Sequence, residues 1–177
     1  MAISETQFLE LYDVNVAKIY RYIYFRVNSE TTAQDLTSEV FLKCWQNLSK
    51  DGGKEVKNHR AFIYQITRNL IVDFYRQKDK LPISLEEIAD SGNKIADKLP
   101  IADRNNDLQE IASKTLDVER IKKALGGLNS DYQEIIIWRY LDELEIAEIA
   151  EIMEKKEGAV RTLLSRALAD LREVLRQ

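Results

Sequence analysis

Two runs in this chain of 177 residues carry side chains suited to work on a nucleic acid. In the first, Arg60, Tyr64, Arg68, Ile71, Tyr75 and Lys78 recur at three- and four-residue steps, with Asn69 and Arg76 beside them. At helical spacing this places cations and rings on one face. Cations follow a single-stranded backbone and rings stack on exposed bases. The alternative is a solvated basic face with tyrosines lying at its edge. The second run is Glu157 to Ala167, where Lys156, Arg161, Thr162, Ser165 and Arg166 lie outside an apolar stripe of Val160, Leu163, Leu164 and Ala167. Those groups suit phosphates and base edges in a major groove. Its alternative is an ordinary helical hairpin with a basic outer face.

Other chemistries lack their residues. The one histidine, His59, has no metal-ligand spacing around it, and neither a Ser/His/Asp nor a Cys/His pair nor a Gly-rich phosphate loop is present. The one cysteine, Cys44, excludes an internal disulfide and a multi-cysteine zinc site. No basic segment leads into an apolar run at the N-terminus, and no apolar run is long enough to span a bilayer, so a cytosolic protein is expected.

The net charge of -4 speaks against a general nucleic-acid coat, but the charge is unevenly placed. Lys57–Lys80 has six bases against Asp73 and Asp79, a net of +4, and Lys155–Gln177 has six bases against three acids, a net of +3. Between them, Leu85–Asp117 is at -4, and Asp142–Glu154 holds six acids and no base. Two basic islands in an acidic chain suggest two localised contacts.

The elements that must position these islands are helical. Six glycines and two prolines are too few for an all-β fold, and 45% hydrophobic residues supply a core. A first helix is predicted from about Ser4 to Val27, with Phe8, Leu11, Tyr12, Ile19, Tyr20, Ile23 and Val27 as its stripe. A second starts near Thr32, with Asp35 at capping-box spacing, and runs to about Leu48. Leu36, Val40, Cys44 and Leu48 form its stripe, with Phe41 and Trp45 beside them as core or interface. After a loop from Ser49 to Lys57, Asn58 is the expected N-cap of a third helix reaching about Lys78. Its buried stripe is expected to be Phe62, Ile66, Leu70 and Phe74, opposite the basic and aromatic face.

From Leu81 to about Asn106 periodicity fades and both prolines occur, which reads as a linker, with a short helical turn at Leu85–Ala89. A helix resumes near Leu108 and stops at Gly126-Gly127. Asn129 or Ser130 caps the next, which carries Ile135, Ile136, Ile137, Trp138 and Tyr140. Leu144–Met153 and Glu157–Ala167 then form a helix-turn-helix, with Ile146, Ile149, Ala150 and Met153 as the inner face of its first helix.

In this order the pieces resemble the sigma-70 family of bacterial RNA polymerase sigma factors, in the small two-domain extracytoplasmic-function type. Ala33–Trp45 is similar to the family's polymerase-binding helix, Phe62–Arg76 to its promoter-melting helix, and Leu144–Ala150 with Glu157–Ala167 to its helix-turn-helix. The resemblance implies an all-α protein: residues 1–80 as sigma region 2, 81–107 as a linker through the polymerase cleft, and 108–177 as sigma region 4. It implies no enzymatic activity, no cofactor, no metal and no membrane insertion. The implied partners are core RNA polymerase, through the coiled coil of the largest subunit and the flap of the second, then promoter DNA and an anti-sigma factor.

By the same resemblance, Asp35, Leu36, Glu39, Phe41 and Trp45 would dock on the coiled coil, with Phe41 or Trp45 partly exposed. Lys57, Asn58, Arg60, Tyr64, Arg68, Asn69, Tyr75 and Arg76 would hold the minus-ten element, the loop from Lys50 to Lys57 lining a pocket for a flipped base. Lys156, Glu157, Gly158, Arg161, Thr162, Ser165 and Arg166 would read the minus-thirty-five element, with the amides near Glu157-Gly158 on a phosphate. The chain departs from the family at Glu154, where the bend usually has Gly, at Glu145, often Ser, at Leu163, often basic, at Asn129, commonly Pro, and at Ile63, commonly Trp. An autonomous helix-turn-helix repressor would account for the C-terminal half only. With no sensor domain visible, an anti-sigma partner is expected to clamp the two modules and hide both basic faces.

Overall fold

The computed structural model describes residues 2–50, 56–79 and 108–177, apart from the side chains of 108–116; the expected linker and the turn at Leu85–Ala89 lie outside it. Every regular element among the described residues is helical. Helices α1 (Glu5–Val27), α2 (Glu30–Leu48) and α3 (His59–Lys78) form a first module. Helices α4 (Leu108–Gly126), α5 (Ser130–Ile136), α6 (Ile146–Met153) and α7 (Glu157–Arg176) form a second.

The helix starts follow capping chemistry. Ser4 and Gln7 close a capping box on α1, and Asn58 accepts from the Ala61 amide to start α3. At α2 the cap is Ser29, which accepts from the Thr32 amide, so the helix begins ahead of the expected Thr32. Asn129 caps α5 through the Tyr132 amide. Ser130 is thereby left to accept from Arg26. Asn28 ends α1 in the left-handed conformation, its amide on the Tyr24 carbonyl.

In the first module Ile19, Ile23 and Val27 of α1 pack with Ala33, Val40, Cys44 and Leu48 of α2. Burial pushes the Cys44 thiol up to about 12. The stripes of α1 and α3 differ from expectation. Tyr22, Tyr64 and Ile71 are buried, while Phe62, Ile66 and Phe74 are only partly so and Tyr12 is exposed. Both helices have a second covered side, which meets the other module. One apolar cluster therefore runs from Ile19 through Tyr22 and Tyr64 to Trp138 and Ile149.

The helix expected through Tyr140 widens after Ile136 into a π-turn, Ile137–Leu141, in which the Asp142 amide reaches back to the Ile137 carbonyl. This extra residue per turn rolls Trp138 into the core and brings Asp142 to the junction of the modules, both fully buried. In the helix-turn-helix, α6 starts at Ile146, the Glu145 amide donating to the Glu148 carboxylate. The bend turns on Glu154, with φ 54° and ψ 41°. That is the left-handed region where glycine is at ease and a side chain is strained.

Candidate polymerase and nucleic-acid interfaces

On α2 the acidic candidates face outward. Asp35 and Glu39 are exposed, and Glu39 pairs with Lys43 at 3.3 Å. Trp45 is half-buried against the Phe8 ring, 5.1 Å away. Leu36 and Phe41 are buried, Phe41 edge-on to Tyr12 at 4.7 Å, so they fix the helix from beneath. Leu42, absent from the expected set, is 55% exposed. Its three-residue step from Glu39 and seven-residue step from Asp35 put it on their face, and that spacing was the signal for it.

The basic and aromatic face of α3 divides in two. Lys57, Asn69, Tyr75 and Arg76 are exposed, and the Tyr75 hydroxyl donates to the Arg26 carbonyl. Asn58 is committed to its cap. Arg60, Tyr64 and Arg68 are engaged by the second module. Tyr64 Oη donates to Asp142 Oδ2 at 2.8 Å, and Arg60 Nη2 donates to the Asp142 carbonyl at 2.5 Å while its Nη1 lies 3.6 Å from Glu148. Arg68 Nε donates to Glu134 Oε2 at 3.0 Å, and its Nη2 lies 3.3 Å from Asp131. One turn along, Gln65 donates to the Glu151 carbonyl at 2.9 Å.

Helix α1 supplies the remaining partners. Arg21 Nη2 meets Asp142 Oδ1 at 2.5 Å, Tyr22 Oη donates to Glu134 Oε1 at 3.0 Å, and Arg26 donates to Gln133 and Ser130. Each buried carboxylate thus takes one tyrosine and one arginine from the first module. The Trp138 ring stands edge-on to Tyr22 and Tyr64, at 5.5 and 6.2 Å.

The electrostatics follow from this burial. Burial raises Asp142 above the usual carboxylate range, against the hydrogen bonds from Arg21 and Tyr64. Tyr22 and Tyr64 are pushed well up, first by burial and next by Glu134 and Asp142 respectively. For Arg68 burial pulls down, yet the Glu134 carboxylate outweighs it and the net direction is up.

The face of α7 is open. Lys156, Glu157, Gly158, Arg161, Thr162, Ser165 and Arg166 are all exposed. Arg161 pairs only within its own helix, with Glu157 at 2.8 Å, and Thr162 donates to the Gly158 carbonyl. No side chain caps the first turn at Lys156, and a Cβ at Gly158 would meet open space. The first amides of a helix without such a cap can take a phosphate.

Sequence comparison agrees with this division. The profile described as Sigma-70 region 2 matches residues 11–81, and that described as Sigma-70, region 4 matches residues 118–171. The chain belongs to the sigma-70 family, and as a sigma factor it directs RNA polymerase to promoters for transcription initiation. It falls in the extracytoplasmic-function group. It is 32% identical over 169 residues to the ECF RNA polymerase sigma factor BldN of Streptomyces coelicolor, spanning 95% of this chain and 60% of BldN. With the ECF RNA polymerase sigma factor SigW of Bacillus subtilis it shares 28% over 174 residues, spanning 98% of this chain and 91% of SigW.

Two solved structures share the fold. CnrH, in complex with the cytosolic domain of CnrY, superposes with a TM-score of 0.64 at 20% identity over 98% of this chain and 90% of CnrH. The sigma factor RpoE of Bartonella quintana, in complex with the anti-sigma factor NepR, gives 0.63 at 22% identity over 96% of both chains. Both matched profiles are those of sigma regions, and no described helix is long and apolar enough to cross a membrane.

Proposed function

We propose that this chain acts in the cytoplasm as a non-enzymatic promoter-recognition subunit, with residues 1–80 as region 2, 81–107 as a linker and 108–177 as region 4. Asp35, Glu39 and Trp45, joined by Leu42, meet the coiled coil of the largest polymerase subunit, with Leu36 and Phe41 holding α2 in place beneath them. Region 4 meets the flap of the second subunit. Lys57, Asn58, Arg60, Tyr64, Arg68, Asn69, Tyr75 and Arg76 hold the minus-ten strand. Arg161, Thr162, Ser165 and Arg166 read the minus-thirty-five element from the major groove, while Lys156 and the amides at Glu157 and Gly158 take its phosphates.

The observation that carries this reading is the order of the matched regions, 11–81 then 118–171, each holding one basic helix face. An anti-sigma factor as regulator is supported by RpoE, solved with NepR on the same fold. Run-off transcription with core polymerase and a promoter pool tests the assignment. Specific transcripts should vanish with Asp35→Arg and weaken or shift in sequence with Arg161→Ala. A chain that binds promoter DNA unaided and yields no transcript would make it a repressor.

A further inference from the structure

We propose that the α5–α6 segment of the second module is an intramolecular competitor for the promoter strand, its carboxylates occupying on α3 the groups that phosphates and bases would take. This rests on the reading of α3 as the minus-ten face. The overlap is atom for atom. Arg60, Tyr64 and Arg68 are the central members of that face, and each has its polar atoms on Asp142, Glu134, Asp131 or Glu148. Tyr64 is fully buried, so its ring has no free side for a base. A strand and the second module cannot hold these side chains together.

The seam is built to hold and also to release. Asp142 and Glu134 are 0% and 1% exposed and are satisfied from both α1 and α3, so closure repays their desolvation. On opening, those charges return to water, which makes a polar seam easier to part than an apolar one of equal size. Only the open fraction binds the strand, so closure lowers apparent DNA affinity by that fraction. By linkage, a partner that binds only the open form raises that affinity by the same factor that DNA raises its own. Core polymerase, holding the two modules on separate surfaces, would be such a partner. Closure leaves α7 uncovered, so it screens the minus-ten contact alone.

The test uses the full chain carrying dyes at Gln77→Cys and Arg176→Cys, with buried Cys44 left in place, and a pool of single-stranded DNA oligonucleotides. Glu134→Gln with Asp142→Asn should lengthen the dye separation and tighten oligonucleotide binding by about tenfold, as expected if closure hides about nine-tenths of the molecules. Adding Arg68→Ala should abolish that gain. Modules that stay closed, or that separate with affinity unchanged, overturn the proposal; if Arg68→Ala still impairs promoter opening by holoenzyme, the minus-ten reading survives. If Arg60→Ala and Arg68→Ala leave promoter opening intact, that reading fails and the competitor falls with it. A second variant closes the seam covalently. Gln65→Cys with Glu151→Cys, joined by a short bis-maleimide, should bind oligonucleotides far more weakly than the same protein with each thiol capped singly, and equal binding refutes competition.

Discussion

The two basic faces began alike in sequence and ended in opposite environments. On α7 the cations stand in water and pair, where they pair, within their own helix. On α3 the central cations and Tyr64 are held by carboxylates more than sixty residues away in sequence. The difference comes from what lies opposite. The outer side of α7 faces nothing, whereas α3 faces a segment with six acids and no base between Asp142 and Glu154. A helix's own residues thus decide which contacts it can make, and the charge of its neighbour decides which it makes at rest.

The contrast can be broken from the α3 side with the largest effect. Asp142→Ala leaves Arg21 and Tyr64 facing each other without an acceptor, and chemical denaturation should show a loss of about 3 kcal/mol. Alkali should work on the same seam. Tyr22 and Tyr64 are both held above the usual 10.0, Tyr22 among Glu134, Arg26 and Arg68 and Tyr64 among Asp142, Arg60 and Arg21. A raised folded value means stability that is complete below the ordinary value and lost as pH climbs past it. Each pH unit above 10 should remove about 1.4 kcal/mol per buried tyrosine. Phenolate absorbance should therefore rise in two stages, the second coinciding with loss of structure; a single early stage for all eight tyrosines would contradict the burial.

Smaller effects belong to the α7 side. Glu154→Gly relieves a side chain at φ 54° and should add about 1 kcal/mol to stability in thermal melts. Arg161→Ala should change stability by less than about 0.5 kcal/mol, since its ion pair is exposed, while still weakening transcription. A large stability loss there would mean that α7 is not the free face described above.

Much of the fold was legible because it is local. The Ser4 and Asn58 caps, the stop at Gly126-Gly127 and the stripe of Leu36, Val40, Cys44 and Leu48 follow from side-chain chemistry within a few residues. The second covered side of α1 and α3 did not, because Tyr22 and Tyr64 gain their burial from a module far along the chain. Asp142 and Glu134 read as ordinary surface acids, and nothing near them in sequence marks two acids that arginines and tyrosines of α1 and α3 will enclose. The π-turn was equally hidden, as Ile135 to Trp138 fits a regular helix. For the site, residue type located both basic faces, and the structure separated the members already engaged from those in solvent.

The placement of the two tryptophans has an optical consequence. Trp138 lies in the seam between two tyrosine rings, and Trp45 sits half-buried on the face assigned to polymerase. Parting of the modules would move the first into water and shift its emission to the red. Capture by polymerase would remove the second from water and shift it to the blue. Unlabelled protein thus carries a separate colour for each of the two events, and following both in one stopped-flow trace would tell whether opening precedes capture or follows it.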